Sequence, residues 1–316
     1  MKIRNILKYR RIFAYFLIAI FVVWLIFYLL KHKSDFQFLL TVNWQYIVVI
    51  ALLIIIFLYM SGRFLQTMLV RFNIRLKLFE YFGLAVVTTM GNYLIPFQGG
   101  MGMRAFYLRK KHGFSYSEFA GTSGANYVIV FFIYSLILVL FLTILYLKNN
   151  IINLPLIIFG TIVLSVCSTV IIFAPKLKTS KNRWWQKAVI MINCWHKIRK
   201  NKRLIFDLTV LAFMNLFINA LTFYYSFKAF GLNISLFKAI FMSNLAGLSL
   251  LINLTPGAIG IREAVVVFSG QIISIPSAES LSVALLNRSV ALLVVFILGP
   301  IFSYILRKEL KNETKK

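Results

Sequence analysis

The sequence predicts an all-α integral membrane protein with about six full spans plus two re-entrant broken-helix hairpins, arranged as an inverted-topology repeat. Three observations carry this. The 316 residues are 60% hydrophobic and only 14% charged, with mean hydropathy +0.84, whereas soluble chains carry roughly 25% charged residues. Apolar runs of about 18 residues or more, the length that spans a bilayer, recur from end to end. The 35 basic residues face only 8 acidic ones, for a net charge of +27, and they collect in the gaps between apolar runs. Such gaps are where cytoplasmic loops hold their basic residues, so the charge points to membrane topology and no nucleic-acid partner is expected. Disorder, a disulfide scaffold and a cytosolic enzyme are excluded. Cys167 lies in an apolar run and Cys194 in a basic segment, a pattern with no pairing logic.

Lys2, Arg4, Lys8, Arg10 and Arg11 precede an apolar stretch from Ile12 to Leu30. It is too long for a secretory signal core and ends in Lys31-His32-Lys33, so it is expected to be an uncleaved first span. A second span covers roughly Gln45 to Met60, followed by Arg63, Arg71, Arg75 and Lys77. The stretch from Tyr81 to Ile95 stops at Pro96 and continues as Phe97-Gln98-Gly99-Gly100-Met101-Gly102-Met103-Arg104, with Arg109, Lys110 and Lys111 close behind. Further spans are expected near Phe119 to Tyr146 and Leu154 to Phe173. Residues 175–203 hold ten basic side chains and no acid. Within them Trp184, Trp185, Ala188, Val189, Ile192 and Trp195 share one helical face, which suggests a helix in the inner interface attracted to anionic lipid. A span near Leu204 to Phe227, a second broken stretch from Phe237 to Ile275 and a last span from Leu281 to Leu306 complete the chain.

The charges favour hairpins. If both broken stretches return to the side they left, every basic cluster falls inside. Only Lys31, Lys33, Lys148, Lys228 and Lys238 then lie outside, while Arg262 and Arg288 sit within apolar sequence. The two breaks also share a pattern. Asn92 precedes Pro96, Gly99, Gly100 and Arg104; Asn253 precedes Pro256, Gly257, Gly260 and Arg262. The order of spans around each break matches, and three full crossings separate them, so the second half is inverted. Residues 1–316 form one membrane domain, with 1–147 as the first half and 148–310 as the second, including the basic segment 175–203.

Broken helices at membrane depth are tolerated where protein or a wet cavity covers them. Their N-termini carry unpaired N–H groups and a positive dipole end, which suit phosphate or carboxylate. Arg104 and Arg262, with Asn92 and Asn253, are therefore the candidate headgroup-binding residues of a central anion-accepting cavity. Arg262 lies about 9 Å beyond Pro256 and Arg288 about 10 Å into the last span, at roughly 1.5 Å per residue. Both come to a similar depth, and neighbouring helix positions diverge by about 100°. Glu263 is thus expected to neutralise Arg288 in a structural charge pair, with Arg262 meeting the anion. Pro96, Gly99, Gly100, Pro256, Gly257 and Gly260 form the hairpin tips. Valine at those glycines is expected to abolish function, with smaller losses at Gly113 and Gly231.

Pro256-Gly-Ala-Ile-Gly-Ile-Arg262-Glu263-Ala264 resembles the signature of the flippase-like transmembrane family that includes the lipid-translocating part of lysylphosphatidylglycerol synthases (multiple peptide resistance factors). Asn92 through Pro96 to Arg104-Ala105 is similar to its other motif, and Arg288 matches a recurrent arginine. The chain departs from the family at Gln98 and Met101, where arginine and glutamate are common, and at Ala125-Asn126, which replace a Glu-Arg pair. No aminoacyl-transferase domain follows, so lipid modification is not expected. The resemblance implies translocation of an anionic phospholipid or a polyprenyl-phosphate-linked glycolipid across the cytoplasmic membrane, with N- and C-termini cytoplasmic. A secondary transporter of a small anion, an integral membrane transferase and an accessory subunit of envelope glycan assembly are the alternatives. An enzyme is not expected: there is no phosphate-loop motif, and His32, His112 and His196 fall on different loops with no acid cluster beside them. No cofactor or metal is implied. The expected partners are membrane lipids and the anionic inner-leaflet surface, with a homo-oligomer or envelope-biosynthesis partners left open.

Single-cysteine labelling in intact cells tests this topology. Positions near Asn149 and Ser277 are expected to label from outside, while Arg109, Lys181 and the C-terminus are expected to be protected. Labelling of the Arg109 and Lys181 regions on opposite faces would rule out paired hairpins.

Overall fold

Helix ends are set locally along most of the chain. The computed structural model describes residues 42–149, 153–173, 183–252 and 254–313, which form helices and turns with no strand among them. Asn43 Oδ1 accepts from the Gln45 N–H (3.0 Å) and opens α1, Trp44–Val70. Ser115 and Glu118 form a reciprocal cap, with Oε2 accepting from the Ser115 N–H (2.9 Å) and Ser115 Oγ from the Glu118 N–H (3.2 Å). This opens α4, Tyr116–Asn149. Asn153 and Asn201 cap α5, Leu154–Phe173, and α7, Lys202–Ala229, by accepting from N–H groups three residues on. Between them lies α6, Arg183–Arg199.

The remaining helices are α2 (Leu78–Leu94), α3 (Gly100–His112), α8 (Leu236–Leu248), α9 (Ile261–Ile272) and α10 (Ser277–Glu313). Among the described residues α1, α4, α5, α7 and α10 are long and apolar enough to cross a membrane. The chain is a multi-pass membrane protein. The first span expected from the sequence, Ile12 to Leu30, lies outside the described residues. By contrast α2 and α3 are 17 and 13 residues long, or about 25 and 20 Å, and α9 has 12. Each is shorter than a hydrocarbon core of about 30 Å.

Two compact units emerge from the packing. One draws on the chain up to Ile56, Val86–Gly102 and Ile218–Pro300; the other on Phe57–Ala85, Met103–Phe217 and the chain from Ile301. In the second unit α6 packs against α4, where a Cβ on Gly121 would stand 2.7 Å from the Met191 carbonyl. Val189, Trp195 and Ile198 are buried there, while Trp185 is exposed. The tryptophans expected to share one interfacial face therefore divide: Trp195 packs inward and Trp185 stays outside, while Trp184 lies outside the side chains described.

The same unit holds a buried charge cluster that joins both ends of the α2–α3 sequence to α10. Glu80, 2% exposed, accepts from Tyr107 Oη (2.8 Å) and the Lys77 N–H (2.8 Å) and pairs with Lys111 (2.7 Å). Lys111 also pairs with Glu309 (2.7 Å). Burial pushes the Glu80 carboxyl up, but His112, Lys111, the Lys77 N–H and Tyr107 together hold it well below the usual carboxylate range. Because its folded pKa is depressed, Glu80 adds stability that is present above the ordinary carboxylate range and fades as pH falls below it. Glu80→Gln is expected to cost about 3 kcal/mol at neutral pH and to flatten the acid limb of thermal unfolding in detergent. Identical melting profiles for variant and parent across pH 3 to 7 (about the window in which carboxylates titrate) would remove the cluster's structural role.

Candidate functional site

The second break is built where the chain cannot stay helical. After α8 a 3₁₀ turn covers Ser249–Ile252 and another covers Pro256–Ala258. Pro256 has no N–H to continue a helix, and Gly257, Ala258 and Gly260 all take left-handed backbone angles (φ 58°, 53° and 85°). Gly257 is required twice over, for its φ and because a Cβ there would stand 2.3 Å from the Tyr93 ring. Thr255 Oγ1 donates to the Ile259 carbonyl (2.8 Å) and closes the turn.

Arg288 of α10 holds this turn. Its Nη1 donates to the Gly257 carbonyl (3.0 Å) and Nη2 to that of Ala258 (3.4 Å), while Nε donates to Glu263 Oε1. The guanidinium also lies over the Tyr93 ring, 5.9 Å from its centroid. The second carboxylate oxygen of Glu263, Oε2, accepts from the Gly260 N–H (2.8 Å) and so caps α9. Glu263 is 2% exposed. One buried carboxylate thus answers one guanidinium and one orphan N–H of the helix start. Arg262 lies beside this pair in the first turn of α9, partly exposed. Two guanidinium groups and one carboxylate therefore gather near the α9 N-terminus.

The first break uses its residues differently. Here the left-handed residues are Phe97 and Gln98 (φ 56° and 55°), both without the freedom of glycine. Gly100 supplies proximity instead. Its N–H donates to Asn92 Oδ1 (3.0 Å), and a Cβ on it would stand 1.9 Å from the Thr88 carbonyl. A Cβ on Gly99 would meet the Ile95 side chain at 2.2 Å. Pro96 is buried at the end of α2.

Of the residues selected from sequence, the structure brings Gly257, Gly260, Pro256, Arg262, Glu263 and Arg288 together at the second break. Asn92 sits at the first break with its side-chain oxygen engaged by Gly100. Arg104 lies in the other unit, partly buried and within electrostatic reach of Tyr127 of α4. Asn253 lies outside the described residues. Gln98 and Met101 are partly buried at the first break, as is Asn126 on α4, where Ala125 is buried. Tyr93 escaped the sequence reading. Its only signal is its place next to Asn92, and nothing local says that its ring underlies Gly257. The comparison glycines need correction too. Gly113 and Gly231 have φ of 65° and 71°, so valine would be strained at both. Gly102, whose added Cβ would meet nothing within 4 Å, is the sound control.

Gly100→Ala is expected to destabilise the protein by about 1–3 kcal/mol through overpacking against a backbone carbonyl that cannot move aside. Gly102→Ala should be neutral or gain up to about 1 kcal/mol from helix propensity. Thermal unfolding of both proteins in detergent checks the difference, and equal effects would show that close approach at Gly100 does not limit packing.

The family model described as Lysylphosphatidylglycerol synthase TM region matches residues 12–299. No curated protein matches the chain.

Proposed function

The chain belongs to the family of the lysylphosphatidylglycerol synthase transmembrane region, and from that premise we propose that it is a flippase-like translocator of an anionic lipid. Its substrate is an anionic phospholipid or a polyprenyl-phosphate-linked glycolipid of the cytoplasmic membrane. The observation that carries this reading is the placement of Arg262 at the broken helix start of the second break. Glu263 is engaged by Arg288 and by the Gly260 N–H, and Arg262 stands partly exposed in the same first turn of α9. A guanidinium next to a helix N-terminus is a fitting receptor for a phosphate. Arg104, early in α3 past the first break, offers the same chemistry there.

In this reading α2–α3 and α8–α9 are re-entrant hairpins. Their helices are too short to cross alone, and each pair runs antiparallel. Asn92–Gly100 and Glu80–Lys111 join opposite ends of the first pair, and Lys238 Nζ reaches the Ile273 carbonyl (2.8 Å) across the second. The two hairpins belong to halves 1–147 and 148–310 of an inverted repeat, with both termini and the basic segment 175–203 cytoplasmic. The role is translocation, not catalysis. Lipid is preferred over a small anion because the family's function concerns membrane lipids.

Proteoliposomes loaded with labelled anionic lipid, and separately with labelled small anions, test the proposal by leaflet-resolved detection. The lipid is expected to move and the small anions are not. Arg262→Gln should remain inserted and folded while its transport rate falls by roughly tenfold or more, the scale of one charge-assisted hydrogen bond. Normal lipid transport by Arg262→Gln would refute the assignment.

A further inference from the structure

An apolar cavity of about 420 Å³ lies in the second unit, between α4, α5 and α6. Gly124, Ala125, Val128, Thr169, Phe173 and Trp195 are among its lining residues. No ionisable side chain lines it. The Thr169 hydroxyl is turned onto its own helix, donating to the Ser165 carbonyl (2.8 Å). The size falls in the range of roughly 300–1,000 Å³ typical of small-molecule sites. Its apolar lining holds water poorly, and left empty its walls would lose dispersion contacts. In a membrane the filling at hand is hydrocarbon.

The charge at the cavity rim specifies which hydrocarbon. Trp195, 6% exposed, closes the cavity on the α6 side. One turn further along α6, Arg199 Nη1 donates to the carbonyls of Ile171 (2.8 Å) and Ile172 (3.0 Å). That places an exposed guanidinium at the end of α5 beside Phe173. Lys200, Lys202 and Arg203 follow, all exposed. Apolar volume beside a basic rim is the order of parts in an anionic glycerophospholipid: acyl chain, then phosphate.

We propose that the α4–α5–α6 cavity holds one acyl chain of an anionic glycerophospholipid, with the phosphate meeting Arg199 and the basic residues after it. This bound lipid is separate from any lipid at the breaks, and the proposal stands whether or not the protein translocates. It also gives Ala125 a role, since a small uncharged side chain keeps the cavity open and apolar. Gly124 is exposed, and an added Cβ would meet nothing within 4 Å. A larger side chain there can enter the cavity without disturbing backbone.

The test uses the full chain in proteoliposomes with phosphatidylglycerol carrying a diazirine on its acyl chain. After photolysis, crosslinked peptides are mapped. Labelling is expected to concentrate on residues 120–128 and 191–195. Gly124→Leu should reduce it there at least about fivefold, and Gly102→Leu should leave it unchanged. On the unmodified protein, the phosphatidylcholine analogue should label about fivefold less, the worth of one basic group at an anionic surface. Labelling spread evenly over the membrane-facing helices, persistence in Gly124→Leu or equal labelling by phosphatidylcholine would each overturn the proposal. Lipid transport by the same vesicles is read separately, so loss of the bound lipid and loss of translocation are distinguishable.

Discussion

An arginine inside an apolar helix is the constraint around which the second break is organised. A guanidinium at membrane depth is costly unless it is paired, and Arg288 meets that cost with three acceptors: Glu263 and the carbonyls of Gly257 and Ala258. Those carbonyls belong to a turn with three left-handed residues, of which Ala258, lacking glycine's freedom, keeps its angle only because its surroundings over-determine it. The carboxylate completes the arrangement by capping α9 through Gly260. One side chain from α10 therefore fixes the turn, the start of the next helix and the ionisation partner of the buried glutamate. Arg262 stands partly exposed in the same helix turn, and the functional proposal builds on that placement.

The two breaks look alike as strings of letters and differ as structures. At the second, glycine supplies backbone angles, and the cap is a charged carboxylate. At the first, the left-handed angles fall on Phe97 and Gln98, glycine supplies close approach to Thr88 and Ile95, and the cap is the neutral Asn92. A proline followed by glycines announces that a helix stops. It does not announce which residue bears the unusual angle, because that depends on what packs against the turn.

The same division separates what could be read in the sequence from what could not. Apolar runs are a local property, so the extent of α5 is visible in the letters alone, and α1, α4, α7 and α10 are misjudged only where charged or polar turns extend them. The approach of Glu263 to Arg288 follows from rise per residue, because few partners exist for charge inside apolar sequence. Tyr93 beneath Gly257 had no such signal. Neither did Glu80, Lys111 and Glu309, which look like ordinary loop and tail charges until the fold buries them together. For α6, composition and periodicity point to a helix, but the burial of Trp195 depends on Gly121 admitting the α6 backbone, which is a tertiary fact.

The most direct measurement is a set of double-mutant stability cycles at Glu263, Arg288 and Arg262, by thermal unfolding in detergent. If Glu263 belongs to Arg288, Glu263→Gln and Arg288→Gln will be strongly non-additive, with a coupling of about 1–3 kcal/mol. Arg262→Gln will then add independently to either. A coupling between Glu263 and Arg262 as large as that between Glu263 and Arg288 would mean that the carboxylate serves the wrong arginine, and the account of Arg262 as the headgroup's partner would fail.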